Sequence, residues 1–307
     1  MGEYLVTGGC GFIGSHLADA LLARGECVRI LDDLSSGTLA NKPPQAHLLR
    51  GDVADPVAVA EAIAGVDGIF HLAAIASVAR ANQDWLGTHR TNLTGAITVL
   101  DAVRRAGRAG PVPVVYASSA AVYGDNPDLP LHEGSAARPL SAYGADKLGC
   151  ELHAAVAARV HGVPTTGLRF FNVYGPRQDP SSPYSGVVSI FAARMAAGEA
   201  VAVHGDGAQT RDFVFVADVV EALLAAMRSE ASESRVLNVC TGIATSVREL
   251  ATMIAAQLGT APRIEPAPQR AADVRASLGD PARAREALGF TATTGLAQGL
   301  SRTLGTG

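Results

Sequence analysis

The feature that most restricts this chain is a glycine-rich turn near its start. The apolar run EYLVTG leads straight into TGGCGFIG (7–14), and a helical pattern follows over Ser15–Ala23. Gly8, Gly11 and Gly14, with Phe12 and Ile13 between them, therefore fall at a G-x-x-G-x-x-G spacing between a strand and a helix. Missing side chains let the backbone turn tightly, let a pyrophosphate approach, and let helix pack on strand. The helix start adds N–H groups and the positive end of a dipole. Glycines alone would suit any tight βα turn, but strand, turn and helix in this order point to a bound dinucleotide.

The next strand, Val28–Leu31, runs into Asp32 and Asp33, about 18 residues beyond the turn. A carboxylate there can accept both ribose hydroxyls of the adenosine and would repel a 2′-phosphate, which favours NAD over NADP. Either aspartate could instead cap the following S-S-G turn. Asp52 and Val53, after the third strand, could hold the adenine edge or simply form a turn.

Strands are expected at Tyr4–Val6, Val28–Leu31, His47–Leu49, Gly68–Leu72, Val112–Ala117 and Thr165–Arg169. Helical patterns separate them at Val57–Ile63, Leu93–Arg105 and Ser141–His161. This alternation predicts an α/β fold with a doubly wound parallel sheet. Beyond about Phe170, prolines and glycines cluster in GPRQDPSSPYSG, and a helix near Val187–Ala197 and short strands follow. RVLNVCTG reads as a strand returning to the main sheet. The expected division is a dinucleotide-binding domain over 1–170, rejoined by about 212–241. A smaller mixed α/β lobe over 171–211 and 242–307 would take the substrate at the strands' carboxyl ends.

With 307 residues, 48% of them apolar and a net charge of −4, the chain can bury a core and offers no basic block for nucleic acid. No apolar run reaches membrane-span length, and the N-terminus reads as a strand rather than a targeting segment. Four dispersed cysteines, Cys10, Cys27, Cys150 and Cys240, suit a reducing, cytoplasmic setting. The eight histidines show no metal-ligand spacing, so no metal is expected.

Of 25 basic side chains only Lys42 and Lys147 are lysines. Lys147 closes Tyr143-Gly-Ala-Asp-Lys147 on a predicted helix, where an i, i+4 spacing puts both side chains on one face. A phenol is a poor base unless its anion is stabilised, and a compact ammonium, together with an oxidised nicotinamide, does that better than the flat fork of an arginine. Ser119, ending the strand VVYASS, can share a hydrogen bond with a hydroxyl that Tyr143 deprotonates. Y-x-x-x-K alone is common on solvated helices; with the glycine turn and this serine it points to chemistry.

These residues resemble the extended short-chain dehydrogenase/reductase family, most closely its nucleotide-sugar epimerases. The matching motifs are TGGCGFIG, LDDLSSG (31–37), HLAA (71–74), SSAAVYG (118–124), YGADK (143–147), LRFFNVYGPRQDP (168–180), GDGAQTRDFVFVADV (205–219) and QRAADVRAS (269–277). The resemblance implies a Rossmann domain that keeps NAD bound and a lobe that grips a UDP-hexose or UDP-N-acetylhexosamine. It implies Tyr143 as base, Lys147 as its partner and ribose ligand, and Ser119 as the hydroxyl-orienting residue. Ser36, Gly37, Leu72, Ala73, Ala74, Asn92 and Ser118 would lie on the cofactor side. Asn172, Arg211 and Arg270 would meet the diphosphate, and Asp273 the uridine ribose. The family also implies a homodimer formed through helices near 93–105 and 141–161.

Related dehydratases and decarboxylases carry an acid just after the serine or threonine, where this chain has Ala120 and Ala121, and alanine transfers no proton. C4 epimerisation needs no such acid. At the position where the resemblance implies a tyrosine gate, Ser277 leaves room for an N-acetyl group, and the QDPSSPYSG segment (178–186) resembles enzymes of acetylated sugars. The expectation is therefore interconversion of UDP-GlcNAc and UDP-GalNAc, with UDP-Glc and UDP-Gal as slower substrates. The alternatives are another nucleotide-sugar dehydratase or reductase, or a non-catalytic NAD-binding sensor.

Overall fold

Successive side chains of a strand point to opposite faces. In β1 (Glu3–Thr7) Leu5 and Val6 are both fully buried, yet they belong to two different cores. In β2 (Cys27–Asp32) Ile30 and Leu31 divide in the same way. Strands buried on both faces belong in the middle of a parallel sheet. The computed structural model, which describes residues 1–106, 110, 112–179, 186–229, 233–269 and 274–306, has that sheet.

Helix α1 (Phe12–Ala23) links β1 to β2; β3 (His47–Arg50), α2 (Pro56–Ile63) and β4 (Gly68–His71) follow. Four helical pieces then run on: α3 (Val78–Gln83), α4 (Trp85–His89), a π-helical stretch (Arg90–Thr94) and α5 (Gly95–Arg105). The helix expected from Leu93 thus begins earlier, at Trp85, where Asp84 caps α4 by accepting the Gly87 amide. Next come β5 (Val114–Ser119), α6 (Ala142–His161), β6 (Thr165–Phe170), β7 (Asn172–Tyr174), α7 (Val187–Ala196), β8 (Val201–His204) and β9 (Thr210–Phe215). The chain ends with α8 (Val216–Arg228), β10 (Arg235–Val239), β11 (Ala244–Ser246), α9 (Val247–Gln257), β12 (Ile264–Ala267), α10 (Ala282–Leu288) and α11 (Leu296–Leu304).

Seven parallel strands lie in the order β10-β6-β5-β4-β1-β2-β3. The order reverses between β1 and β4, and a crevice opens at such a switch point beyond the carboxyl ends of the strands. On one face α1 and α8 pack around Val6, Leu17, Val219 and Leu223; on the other α2, α5 and α6 pack around Leu5, Val59, Val99 and Ala154. The small sheets β11-β9-β7 and β12-β8 build a lobe around Phe191, Val201, Leu250 and Ile254. Strand β10 does return to the large sheet, whereas β9 pairs with β7 and β11. Among the described residues no helix is long and apolar enough to cross a membrane.

Candidate active site

A cleft of about 720 Å³ lies over the switch point. Gly8, Gly11, Phe12, Ile13 and Gly14 form its floor, Asp32, Asp33, Ser36, Asp52 and Val53 one end, and Leu72, Ala73 and Ala74 the middle. Ser118, Ser119, Tyr143, Lys147 and Asn172 line the far side.

The floor is a cradle that side chains would fill. A Cβ on Gly14 would sit 2.2 Å from the Gly8 carbonyl oxygen, and one on Gly8, whose φ is +70°, 2.8 Å from the Ala73 backbone. Asp32 fixes the shape from β2: its Oδ2 accepts the Cys10 amide at 2.9 Å and its Oδ1 the Leu34 amide at 2.8 Å. Asp33 accepts the Ser35 amide at 2.9 Å. Both aspartates therefore shape turns while lining the cleft. Burial, reinforced by Asp32, pushes the Cys10 thiol up to about 11, which makes it an inert packing group. A glycine floor with helix N–H groups, ending at a buried carboxylate, fits the pyrophosphate and adenosine ribose of NAD.

The far side of the cleft is set by the start of α6. Ser141 caps the helix by accepting the Gly144 amide at 3.1 Å, which fixes the phase of Tyr143 two residues on. Lys147, only 3% exposed, donates from Nζ to the Ala117 carbonyl at 2.8 Å and stands 5.8 Å from the centroid of the Tyr143 ring. Ser119 Oγ accepts the Ala121 amide at 3.1 Å, leaving its proton to be donated into the cleft. The Tyr143 hydroxyl bonds to no described residue. Ala120 and Ala121 form a 3₁₀ turn directly behind Ser119, so no acid stands there.

His71, ending β4, is buried beside this group. Thr7 Oγ1 accepts the Leu72 and Ala73 amides, each at 3.1 Å, so its proton goes to His71 Nδ1 at 2.9 Å and the ring is neutral. Burial, with a lesser contribution from Lys147, brings His71 down to about 3.

Four of the expected residues do not line the cleft. Gly37 packs against Cys10. Asn92, in the π-helical stretch, is buried and uses its amide on the backbone of Ile75, accepting its N–H at 2.7 Å and donating to its carbonyl at 3.3 Å. It shapes the cleft loop after β4. Arg211 donates to the Thr210 carbonyl at 2.8 Å, and the Ser277 amide donates to the same oxygen at 3.1 Å, so the two lie together in the lobe. Ser277 is buried there. Arg270, Asp273 and most of the QDPSSPYSG segment lie outside the described residues.

Arg80, Thr91, Gln178 and Asp179 also line the cleft but were not singled out from the sequence. Arg80 and Thr91 follow the carboxyl end of β4, so the sheet rule that located HLAA could have found them. Gln178 and Asp179 belong to a quoted motif. Among the described residues no group of three His, Cys, Asp or Glu side chains could hold a metal.

The family model of the NAD dependent epimerase/dehydratase family matches residues 4–240. A UDP-glucose 4-epimerase of Mycolicibacterium smegmatis is 39% identical over 307 residues, covering 98% of this chain and 96% of that protein. The fold matches the UDP-glucose 4-epimerase of Thermotoga maritima, solved with UDP-glucose, with a TM-score of 0.94 at 36% identity; 99% of this chain and 98% of that one are covered. It also matches a UDP-N-acetylglucosamine 4-epimerase of Methanobrevibacter ruminantium, solved with UDP-N-acetylmuramic acid, with a TM-score of 0.93 at 32% identity, covering 99% and 97%.

Proposed function

Because the chain belongs to the NAD-dependent epimerase/dehydratase family, we propose that it interconverts the C4 epimers of a UDP-hexose, with NAD held throughout the cycle. The observation that carries this reading is the grouping of Tyr143, Lys147 and the hydroxyl of Ser119 on one wall of a cleft whose floor is the glycine turn.

Ser119, with its lone pair engaged by Ala121, donates toward the C4 oxygen and orients it. Tyr143, as the phenolate that Lys147 stabilises, takes the C4 hydroxyl proton and becomes the neutral phenol. The chemistry that NAD supplies when bound is reversible acceptance of the C4 hydride. The 4-keto sugar would turn over about its diphosphate linkage, and Tyr143 would return the proton to the C4 oxygen. The redox change is therefore zero, as required of a site that does not exchange its nucleotide. Ala120 and Ala121 place no acid beside Ser119, which favours epimerisation over elimination or decarboxylation.

For the hexose, the two C4 epimerases of UDP-glucose support the pair UDP-Glc/UDP-Gal. The UDP-N-acetylglucosamine 4-epimerase supports UDP-GlcNAc/UDP-GalNAc as well. Anomeric proton NMR of the purified protein with each of the four nucleotide sugars, first without added NAD and then with it, tests both. Conversion to a fixed ratio is expected; four unchanged spectra in both conditions would overturn the reading.

The reading extends to a homodimer through α5 and α6. Leu152, Val156 and Val160 recur every four residues on α6 and are 62%, 52% and 65% exposed, an apolar stripe suited to a second copy. All four thiols are unpaired, which suits a reducing, cytoplasmic compartment.

A further inference from the structure

Tyr143, Lys147 and Glu151 stand four residues apart on α6, so they form one stripe along the helix, facing the end of β5. Lys147 reaches the Ala117 carbonyl, and one turn on Glu151 Oε1 accepts the Ser118 hydroxyl at 2.5 Å. Lys147 and Glu151 are 3% and 6% exposed. At that depth charges act on one another with little screening. An uncompensated carboxylate at 151 would oppose the ammonium in front of Tyr143.

Arg169 of β6 stands in the way of that opposition. Its Nε donates to Glu151 Oε1 at 2.9 Å and its Nη2 to Oε2 at 2.7 Å, a two-pronged pairing of guanidinium and carboxylate. The guanidinium is held by a further bond from Nη1 to the Glu133 carbonyl at 3.3 Å and lies 4.7 Å from the centroid of the Tyr123 ring. The other ionisable groups packed around the stripe do not repeat this effect. His71 on β4 is neutral, and Asp146 turns to α4, where His89 meets it at 2.8 Å. Glu133 accepts the Asn238 amide at 2.7 Å, while burial keeps Cys150, Tyr116 and Tyr123 protonated.

We propose that Arg169 is an electrostatic positioning residue: by cancelling the charge of Glu151 it leaves the ammonium of Lys147 free to act on Tyr143. This rests on the reading of Tyr143 as the base. A purely structural role, pinning β6 to α6, would be lost alike in any variant of the pair. Charge balance instead predicts opposite effects from the two partners.

The test is a tyrosinate absorbance titration of each protein against the same protein carrying Tyr143→Phe, run beside the pH profile of turnover. Glu151 is about 12 Å from Tyr143 along the helix, from a rise of ~1.5 Å per residue. At an effective dielectric near 20 that separation is worth roughly one pH unit. Glu151→Gln, whose single amide oxygen can still accept from Ser118 and Arg169 Nε while the bond from Nη2 is lost, removes the carboxylate charge, leaves the arginine charge, and should move formation of the Tyr143 phenolate and the acid limb of the profile to lower pH by that amount. Arg169→Met should move both to higher pH, and the double variant should return close to wild type. A Glu151→Gln titration that coincides with wild type or moves to higher pH overturns the proposal, as does an Arg169→Met titration that moves lower. Should Arg169→Met fail to fold, Glu151→Gln and the double variant still decide it. If no UDP-hexose is turned over, the functional reading fails, while the absorbance titration still reads the charge balance.

Discussion

Lys147 Nζ sits 5.8 Å from the centroid of the Tyr143 ring while bonded at 2.8 Å to the carbonyl of Ala117, at the end of the adjacent strand. That carbonyl places a point charge on the Tyr143 side of a slot with almost no exposed surface. A guanidinium is larger, planar and spreads its charge over three nitrogens. Lys147→Arg is expected to lower kcat by about 100-fold or more, the scale of a lost acid–base contribution. Steady-state rates from coupled or NMR assays check it, and near-normal turnover would show that any cation suffices.

Tyr143→Phe removes only an oxygen that bonds to no described residue, so the fold and the glycine floor should be unaffected. Turnover is expected to fall by at least ~1,000-fold, while NAD content, measured after denaturing release, stays within a few-fold of wild type. Retained activity would transfer the role of base to another group.

Gly14→Ala tests the cradle itself. The added methyl would meet the Gly8 carbonyl oxygen at 2.2 Å, a backbone atom that cannot swing away. A cost of about 1–3 kcal/mol is expected, as for overpacking elsewhere, with loss of bound NAD. Gly65→Ala is the control, since its φ is +83° but nothing lies within 4 Å. It should cost about 1 kcal/mol and leave NAD binding intact, as read by thermal unfolding and cofactor release.

His71 gives stability a pH dependence of definite sign. Burial first and Lys147 second bring it to about 3, below the usual 6.5. The unfolded chain then binds the proton that the folded chain refuses. This contribution is complete above about pH 6.5 and lost as the pH falls toward 3. Between pH 7 and pH 5 the wild-type protein should lose about 2 kcal/mol more than His71→Gln. Urea unfolding at the two pH values measures the difference, and parallel losses would argue against a neutral His71.

The exposed stripe on α6 makes the oligomer testable. Val156→Glu puts a charge at its centre and is expected to give monomers in sedimentation velocity runs where wild type gives dimers. A wild-type monomer at ~100 μM would remove the homodimer from the proposed function.

The parts of this protein legible in the sequence are those whose partners lie within about one element of each other. The glycine motif spans eight residues from the end of a strand into the start of a helix, and its spacing alone dictates a tight bend beneath a helix N-terminus. Tyr143 and Lys147 are four residues apart, so helical periodicity places them together. The apolar runs of β1 and β2 announce a sheet covered on both faces. Even the two lysines among 25 basic residues share a reason, because an ammonium is a compact triple donor. Lys147 uses it at Ala117, and Lys42, which reads as an ordinary loop residue, at the carbonyls of Pro43, Pro44 and Ala46.

Only the tertiary structure decided what Asn92, Glu151 and Arg169 do. Asn92 meets Ile75 across 17 residues, and Ser118 meets Glu151 across 33. Arg169 reaches Glu151 from another strand. No periodicity links such positions; they are joined because β5, β6 and α6 pack in one layer order and exclude water between them. Once water is excluded, a buried charge must find its partner in the protein. Sheet topology, rather than local spacing, determines which partner that is.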